Sequence, residues 1–257
     1  MKPEFRIWDD FIFYETANFS SQNFDSSFKK NCLNNKVFGE YSSLFALKDE
    51  LKNEIDNDGL ITICQYRRFV FNQKLGHQSN TMPWARVLTF DEITSLNIKD
   101  EYLPLRGGDF LIGSRISLPS VLQHYADYHF LRDILKFTSI LIDLEILTET
   151  KALNFLNQSF LIPSPSCGTF SIKSFITIFE EIELAAKGFW SHGYRPYDDP
   201  YQSRVMGFLL ERLNSFLLLS YMSEASLSID DSLGITTLVA SKDAKNNDVQ
   251  KGLVKNY

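Results

Sequence analysis

Residues 60–71 read Leu-Ile-Thr-Ile-Cys-Gln-Tyr-Arg-Arg-Phe-Val-Phe. Their first part, Leu60 to Cys64, is a short apolar run rich in β-branched residues, the composition expected of a parallel strand buried on both faces. Just upstream, Leu44, Leu47, Leu51 and Ile55 recur at spacings of three and four, which predicts an amphipathic helix from Tyr41. Asn57-Asp58-Gly59 supplies the turn that ends it. A helix feeding a buried strand is the αβ half of a doubly wound unit, so this region predicts an α/β fold. In open α/β sheets ligands gather beyond the carboxyl ends of strands. Gln65-Tyr66-Arg67-Arg68 occupies that position.

Working outward, TFDEITSL from Thr89 predicts an N-capped helix, and Gly107-Gly108 precedes a strand at DFLIG. Pro119 stands at the first turn of one amphipathic helix running through VLQHYADYHFLRDIL, with His124 and His129 on it. FTSILIDLEIL suits helix or strand, and Pro163 and Pro165 mark a loop. GTFSIKSFITIFEEIELAAKGFW reads as a strand feeding a helix that ends near Gly188. An aromatic, proline-bounded loop from Tyr194 to Pro200 leads into a long helix reaching Met222. Towards the start of the chain, Phe5 to Glu15 suggests a strand and a polar stretch to Asn35 a loop. Beyond Ser223 the composition turns polar, with a weak strand at ITTLV and a tail expected to be mobile. The expected organisation is one domain over 1–225 and an extension over 226–257.

A chain of 257 residues with 44% hydrophobic and 23% charged residues can bury a full-sized core, which excludes a disordered chain or a small stapled scaffold. Lys plus Arg total 26 against 32 Asp plus Glu, a net charge of −6, which argues against broad nucleic-acid binding. Cys32, Cys64 and Cys167 lie too far apart for a CxxC pattern and suit a reducing compartment. Acidic residues interrupt the first apolar stretch, and no uninterrupted apolar window of membrane length occurs, so the expectation is a cytosolic protein, at most attached to a membrane face. Gly-rich phosphate fingerprints, HExxH, GxSxG and EF-hand patterns are absent from the sequence.

Two constellations can carry chemistry. Arg67 and Arg68 are permanently charged forks suited to phosphate oxygens, although solvated or carboxylate-paired arginines would give the same pattern. Strand alternation would point them to opposite faces, one towards a ligand and one as a brace. The second constellation spans Tyr197 to Leu213. At about 100° per residue, Arg204 and Glu211 fall within about 20° of each other, with Gly207 on nearly the same side. A mid-helix glycine costs about 1 kcal/mol relative to alanine, which favours it where a ligand or a packed helix comes close. A charged pair within Val, Met, Phe and Leu must be paired or face a polar cavity. Asp199 before Pro200 fits an N-cap, whereas Asp198 lacks that role and is a candidate metal ligand or general base. His124 and His129, five apart and about 140° around a helix, diverge too far to share a metal. His129 alone is a candidate polar contact, or a core or surface histidine. His77 and His192 carry little information.

Together, QYRRFVF over 65–71 and YDDPYQSRVMGFLLERL over 197–213 resemble bacterial capsular-polysaccharide and O-antigen glycosyltransferases, which share an HYRRYF-like strand end and a late YDxYxxRxxGFxxERL-like motif. EYSSLFALKDELKN over 40–53 and QHYADYHFLRDI over 123–134 are similar to further family segments, so the likeness runs in order from about residue 40 to 222. It implies a GT-A-like, Rossmann-type mixed sheet flanked by helices. It also implies transfer of a hexose, galactose or galactofuranose, from a UDP-sugar to a surface polysaccharide or lipopolysaccharide acceptor. By motif position it carries family roles onto Tyr66, Arg67, Arg68, Arg204, Gly207 and Arg212, taken as donor-binding, and onto Glu211 and His129. Glu211 and Asp198 are the carboxylates available as catalytic base. Gln65, Tyr125, His129 and Asp199 are the acceptor or sugar contacts. The implied partners are the UDP-sugar and a glycan or lipid-linked glycan acceptor, with no nucleic acid and at most peripheral membrane contact.

Two departures matter. Gln65 replaces the family's histidine and removes a titratable group. No Asp-x-Asp pair follows the central strand, so no cofactor is firmly implied; a magnesium or manganese ion stays open, and guanidinium charge could replace it. A non-catalytic nucleotide-sugar or carbohydrate-binding protein of the same fold is the alternative, and an unrelated α/β domain docked through a Phe-rich surface is a third.

Overall fold

A computed structural model describes residues 38, 40–54, 59–65, 67–95, 100–104, 108–192, 194 and 197–240. The expected strand at 5–15, the loop after it, Cys32, Ile55, Asn57, Asp58, Tyr66, Gly107 and the tail from 241 lie outside the described residues. Along the chain come α1 (Tyr41–Glu54), β1 (Leu60–Ile63), β2 (Arg68–Phe71), β3 (His77–Gln78), β4 (Ala85–Thr89), α2 (Phe90–Ser95), β5 (Phe110–Ile112) and β6 (Ile116–Ser117). They are followed by α3 (Val121–Tyr128), α4 (Leu131–Asp143), α5 (Glu149–Asn157), β7 (Phe160–Leu161), β8 (Gly168–Ser171), α6 (Ile172–Ser191), α7 (Val205–Glu224), α8 (Ile229–Ser232) and β9 (Ile235–Ala240).

The result is an α/β fold of several sheets flanked by helices. The strand expected at Leu60–Cys64 forms, but it is neither parallel nor buried on both faces. It is the edge of an antiparallel sheet ordered β1-β8-β5, and Leu60 is 46% exposed. The reason lies in its alternation: Ile61 and Ile63 pack on the core, while Thr62 meets Thr169 across the ladder at 2.9 Å. The chain then turns sharply at Gln65–Arg68 and enters a second sheet ordered β2-β9-β4-β3, in which only β4 and β9 are parallel. The weak strand expected at ITTLV is β9, an interior strand paired on both sides, so the segment after residue 225 reaches the middle of a sheet.

Helices α1, α6 and α7 carry most of the main core. Tyr41, Leu44, Phe45, Leu47 and Leu51 of α1 are buried against it, and the buried Lys48 ammonium meets Glu183 of α6. Burial opposes that ammonium, but hydrogen bonds to Glu183 and Asp49 hold its pKa above the ordinary lysine value. Helix α7 buries Val205, Met206, Leu209, Leu210, Leu213 and Leu218 completely. The segment Gln202–Glu224 is long and apolar enough to cross a membrane, yet 67% of its most apolar window is buried inside the fold, which makes it a core helix.

One helix expected from Leu118 to Leu135 is two, starting at Val121 and Leu131. Ser120, not Pro119, sets the start of α3, its hydroxyl accepting from the Gln123 N–H at 3.0 Å. Extended backbone at His129, φ −140° and ψ 172°, ends it before α4 begins. Thr89 and Glu92 form the reciprocal cap expected for α2.

Gly168, where β8 enters the sheet, has φ +146°, and a Cβ built there would lie 2.3 Å from the Leu111 carbonyl oxygen. Gly168→Ala is therefore expected to lower unfolding free energy by about 2 kcal/mol or more, read from urea denaturation. A variant as stable as the parent would show that β8 can shift away from β5.

Candidate active site

The turn after β1 is closed by two backbone hydrogen bonds, Gln65 N–H to Arg68 C=O at 3.1 Å and Arg68 N–H to Gln65 C=O at 3.0 Å. Arg67 therefore sits in the turn and only Arg68 opens a strand, so strand alternation does not govern the pair. The Arg68 guanidinium lies over the Trp84 ring at 5.9 Å and donates to Gln65 Oε1 at 3.1 Å. Gln65 in turn donates its amide to Glu40, whose other carboxylate oxygen accepts the Ser166 hydroxyl. Three segments distant in sequence thus converge on one carboxylate. Its pKa is raised, first by burial, against the Ser166 hydrogen bond; Glu211 adds to the rise, while Arg68 and Arg204 oppose it. Glu40 is therefore within electrostatic reach of Arg68 and Arg204, two of the arginines that the sequence singles out.

The second side of the site is the start of α7. Arg204 is exposed, with its guanidinium 5.4 Å from the Phe208 ring centre. One helical turn later, Gly207 has open space beside it: an added Cβ would meet only the Phe38 carbonyl oxygen, at 3.9 Å. A tightly packed helix does not account for this glycine. Glu211 accepts the Ser164 N–H at 3.1 Å, from a residue with φ 52° between two prolines. Arg212, only 4% exposed, donates to the Phe208 carbonyl at 2.8 Å, lies 5.0 Å from the Tyr125 ring centre and reaches His124 Nδ1 at 3.2 Å.

Glu211 and Arg212 line a cavity of about 380 Å³, with Trp84, Tyr128, Tyr201 and Phe208 as aromatic walls. Each of the outer guanidinium groups rests on one of those rings, Arg68 on Trp84 and Arg204 on Phe208. His124 and His129 both face the cavity. On a continuous helix they would diverge; the backbone instead leaves the helix at His129, and its ring stacks between Phe208 at 4.2 Å and Tyr201 at 5.3 Å. Burial, then the nearby Arg212 charge, lowers the pKa of His129 to about 4, and the same two causes lower that of His124.

Other candidates fall differently. Asp199 closes the turn ahead of α7, its Oδ1 accepting the N–H groups of Tyr201 at 3.0 Å and Gln202 at 2.7 Å, but it is not the N-cap of the long helix expected from Pro200: a 3-10 turn at Gln202–Arg204 intervenes, and α7 starts at Val205 after Arg204. Asp198 is exposed in the same loop and does not line the cavity. Tyr125 is fully buried under Arg212, and its hydroxyl has no hydrogen-bond partner among the described residues. Tyr197 donates to Asp133 at 2.9 Å and accepts from Arg132 at 2.6 Å, which pins the loop to α4. Glu40, Ser166 and Trp84 were missed by sequence reading, since a lone Glu before a helix, a Ser among prolines and a single Trp carry no pattern. As for metal binding, Asp199 is committed to that turn, and among the described residues no three His, Cys, Asp or Glu side chains converge to hold an ion.

No family model and no curated protein matches this chain. Among solved structures, the apo form of WbbM, a bifunctional glycosyltransferase, superposes with a TM-score of 0.65 at 18% sequence identity. The match covers 86% of this chain and 39% of that one, so the likeness is one of fold over part of a longer protein.

The histidines give a pH prediction. A group that prefers its neutral form in the folded state stabilises fully above its unfolded pKa, near 6.5, and that contribution is lost as pH falls towards about 4. His129→Phe, which keeps the ring stack, is expected to flatten the stability profile between those values by up to about 1.4 kcal/mol per pH unit. An unchanged acid limb in urea titrations would place the titrating group elsewhere.

Proposed function

We propose that this chain transfers a sugar from a nucleotide diphosphate donor, a UDP-hexose of the galactose or galactofuranose type, to a hydroxyl of a surface-glycan acceptor. The observation that carries the reading is that Arg68, from the strand-end motif, and Arg204, from the late-helix motif, each lie against an aromatic ring of one cavity wall, Trp84 and Phe208, and both act electrostatically on the Glu40 carboxylate. The fold likeness to a glycosyltransferase supports it.

In this reading the two guanidinium groups receive the diphosphate. Each is held on a neutral ring, so its charge is free to stabilise the departing nucleoside diphosphate without a metal. Trp84, Tyr128, Tyr201 and Phe208 offer flat faces to sugar rings. Glu211 is fixed by Ser164 and faces the cavity, where it takes the acceptor hydroxyl's proton. As that oxygen bonds to the sugar's anomeric carbon, the bond from this carbon to the phosphate oxygen breaks, and its electron pair leaves on the diphosphate. The open backbone at Gly207 leaves room for the donor. Glu40 bonds with both oxygens and acts as a positioning residue for Gln65 and Arg68. Phe130, Leu131 and Leu135, exposed at 48%, 45% and 45% near the cavity wall at Tyr128, suit contact with the inner membrane face, where a lipid-linked acceptor is held.

Release of UDP from a panel of UDP-sugars, in the presence of EDTA, tests the activity. Glu211→Gln is expected to keep the circular-dichroism melting profile and lose about 100-fold or more in turnover. Full turnover in that variant would remove Glu211 as the base, loss of activity with EDTA and its return with magnesium would reject the metal-free mechanism, and binding without UDP release would mark a non-catalytic binder. Gly207→Ala should gain up to about 1 kcal/mol in stability while raising the donor KM. A stabilised variant with unchanged KM would place the donor away from this turn.

A further inference from the structure

Trp84 and Ile116 have another face. They also line a second, shallower hollow of about 460 Å³, whose other lining residues include Lys74, Arg86 and Arg115. Among the described residues no Asp or Glu lines this trough. Its two guanidinium groups are held, but by neutral partners. Arg86 donates Nε to the Leu75 carbonyl at 2.8 Å and Nη2 to the Gly76 carbonyl, and Arg115 lies 4.7 Å from the Phe160 ring centre. Lys48, Lys52, Lys151 and Lys187, by contrast, each pair with a carboxylate. Carbonyl and ring partners fix a guanidinium in place without cancelling its charge, which prepares it for an external anion at reduced ordering cost. In a chain of net charge −6, such a carboxylate-free trough stands against the average field.

We propose that this trough binds the phosphate-bearing end of the acceptor, a phosphate or diphosphate ester, while the acceptor's sugar occupies the adjoining aromatic cavity. The inference rests on reading that cavity as the sugar-transfer site. Trp84 would then be the ridge that the bond between sugar and phosphate crosses, with the donor arginines, Arg68 and Arg204, on its other side.

The first test is calorimetric titration of the full chain with inorganic pyrophosphate at fixed ionic strength. Two sites are expected, one lost in the Lys74→Gln, Arg115→Gln double variant and the other in Arg204→Gln. The single variant Lys74→Glu, at an exposed side chain, should weaken the trough site about tenfold without altering the melting temperature. Wild-type stoichiometry in the double variant overturns the proposal. The second test compares acceptors: the double variant should raise KM about tenfold for a phosphate-bearing glycan, with kcat, UDP release and the KM for the phosphate-free glycan unchanged. Equal effects on both acceptors would overturn it. Sedimentation with phosphatidylglycerol vesicles separates the other source of the same chemistry: if the double variant loses vesicle binding but keeps both pyrophosphate sites, the trough takes a bilayer headgroup and the acceptor assignment is wrong. Should no UDP-sugar be turned over at all, the transfer reading falls by itself, while the pyrophosphate titration still decides the trough.

Discussion

A partly buried carboxylate at the head of α1 holds the architecture and the site together. Glu40 receives one hydrogen bond from Gln65, in the turn between the two sheets, and another from Ser166, in the loop before β8. Burying a carboxylate is costly unless its oxygens are satisfied, and here both oxygens accept hydrogen bonds from side chains belonging to other parts of the chain. The main helical core, the first sheet and the arginine turn are thereby fixed relative to one another. Arg68 can point over Trp84 because Gln65, held from behind by Glu40, orients it.

Helix α7 has the complementary task. Its second half is packed among Leu, Phe and Met side chains, and even its polar Asn214 and Ser215 are fully buried. Its first half is different in kind: Gly207 leaves space, Glu211 turns to the cavity, and Arg212 is sunk among Tyr125, His124 and the Phe208 carbonyl. A rigid, buried second half anchors the chemically varied first half, the arrangement that precise placement of charged groups requires.

Much of this could be read in the sequence because the signals were local. The spacing of Leu44, Leu47 and Leu51 points to α1, the Asp199-Pro200 pair to the turn ahead of α7, and the mismatch of Arg204, Gly207 and Glu211 with an apolar helix to the site. What could not be read was non-local. Ile61-Thr62-Ile63 is short enough to suit a buried parallel strand or an alternating edge strand, and only the partner, β8, decides. The break at His129 has no glycine or proline to announce it; aromatic contacts with Phe208 and Tyr201 accompany it. Glu40 becomes special only when Gln65 and Ser166 arrive from elsewhere in the chain. The strand at ITTLV could be read, but the polar composition after residue 223 gave no sign of its interior place, where Thr236 and Thr237 are buried between two neighbours.

That last strand bears on how the molecule is made. Because β9 lies between β2 and β4, those two cannot pair across the gap until residues 235–240 have left the ribosome. Until then the Arg68 side of the site lacks its finished scaffold, with strand edges open to wrong partners. Assembly of the second sheet is a late, long-range closure, and the chain gains its complete binding surface only when its final described strand slots into place.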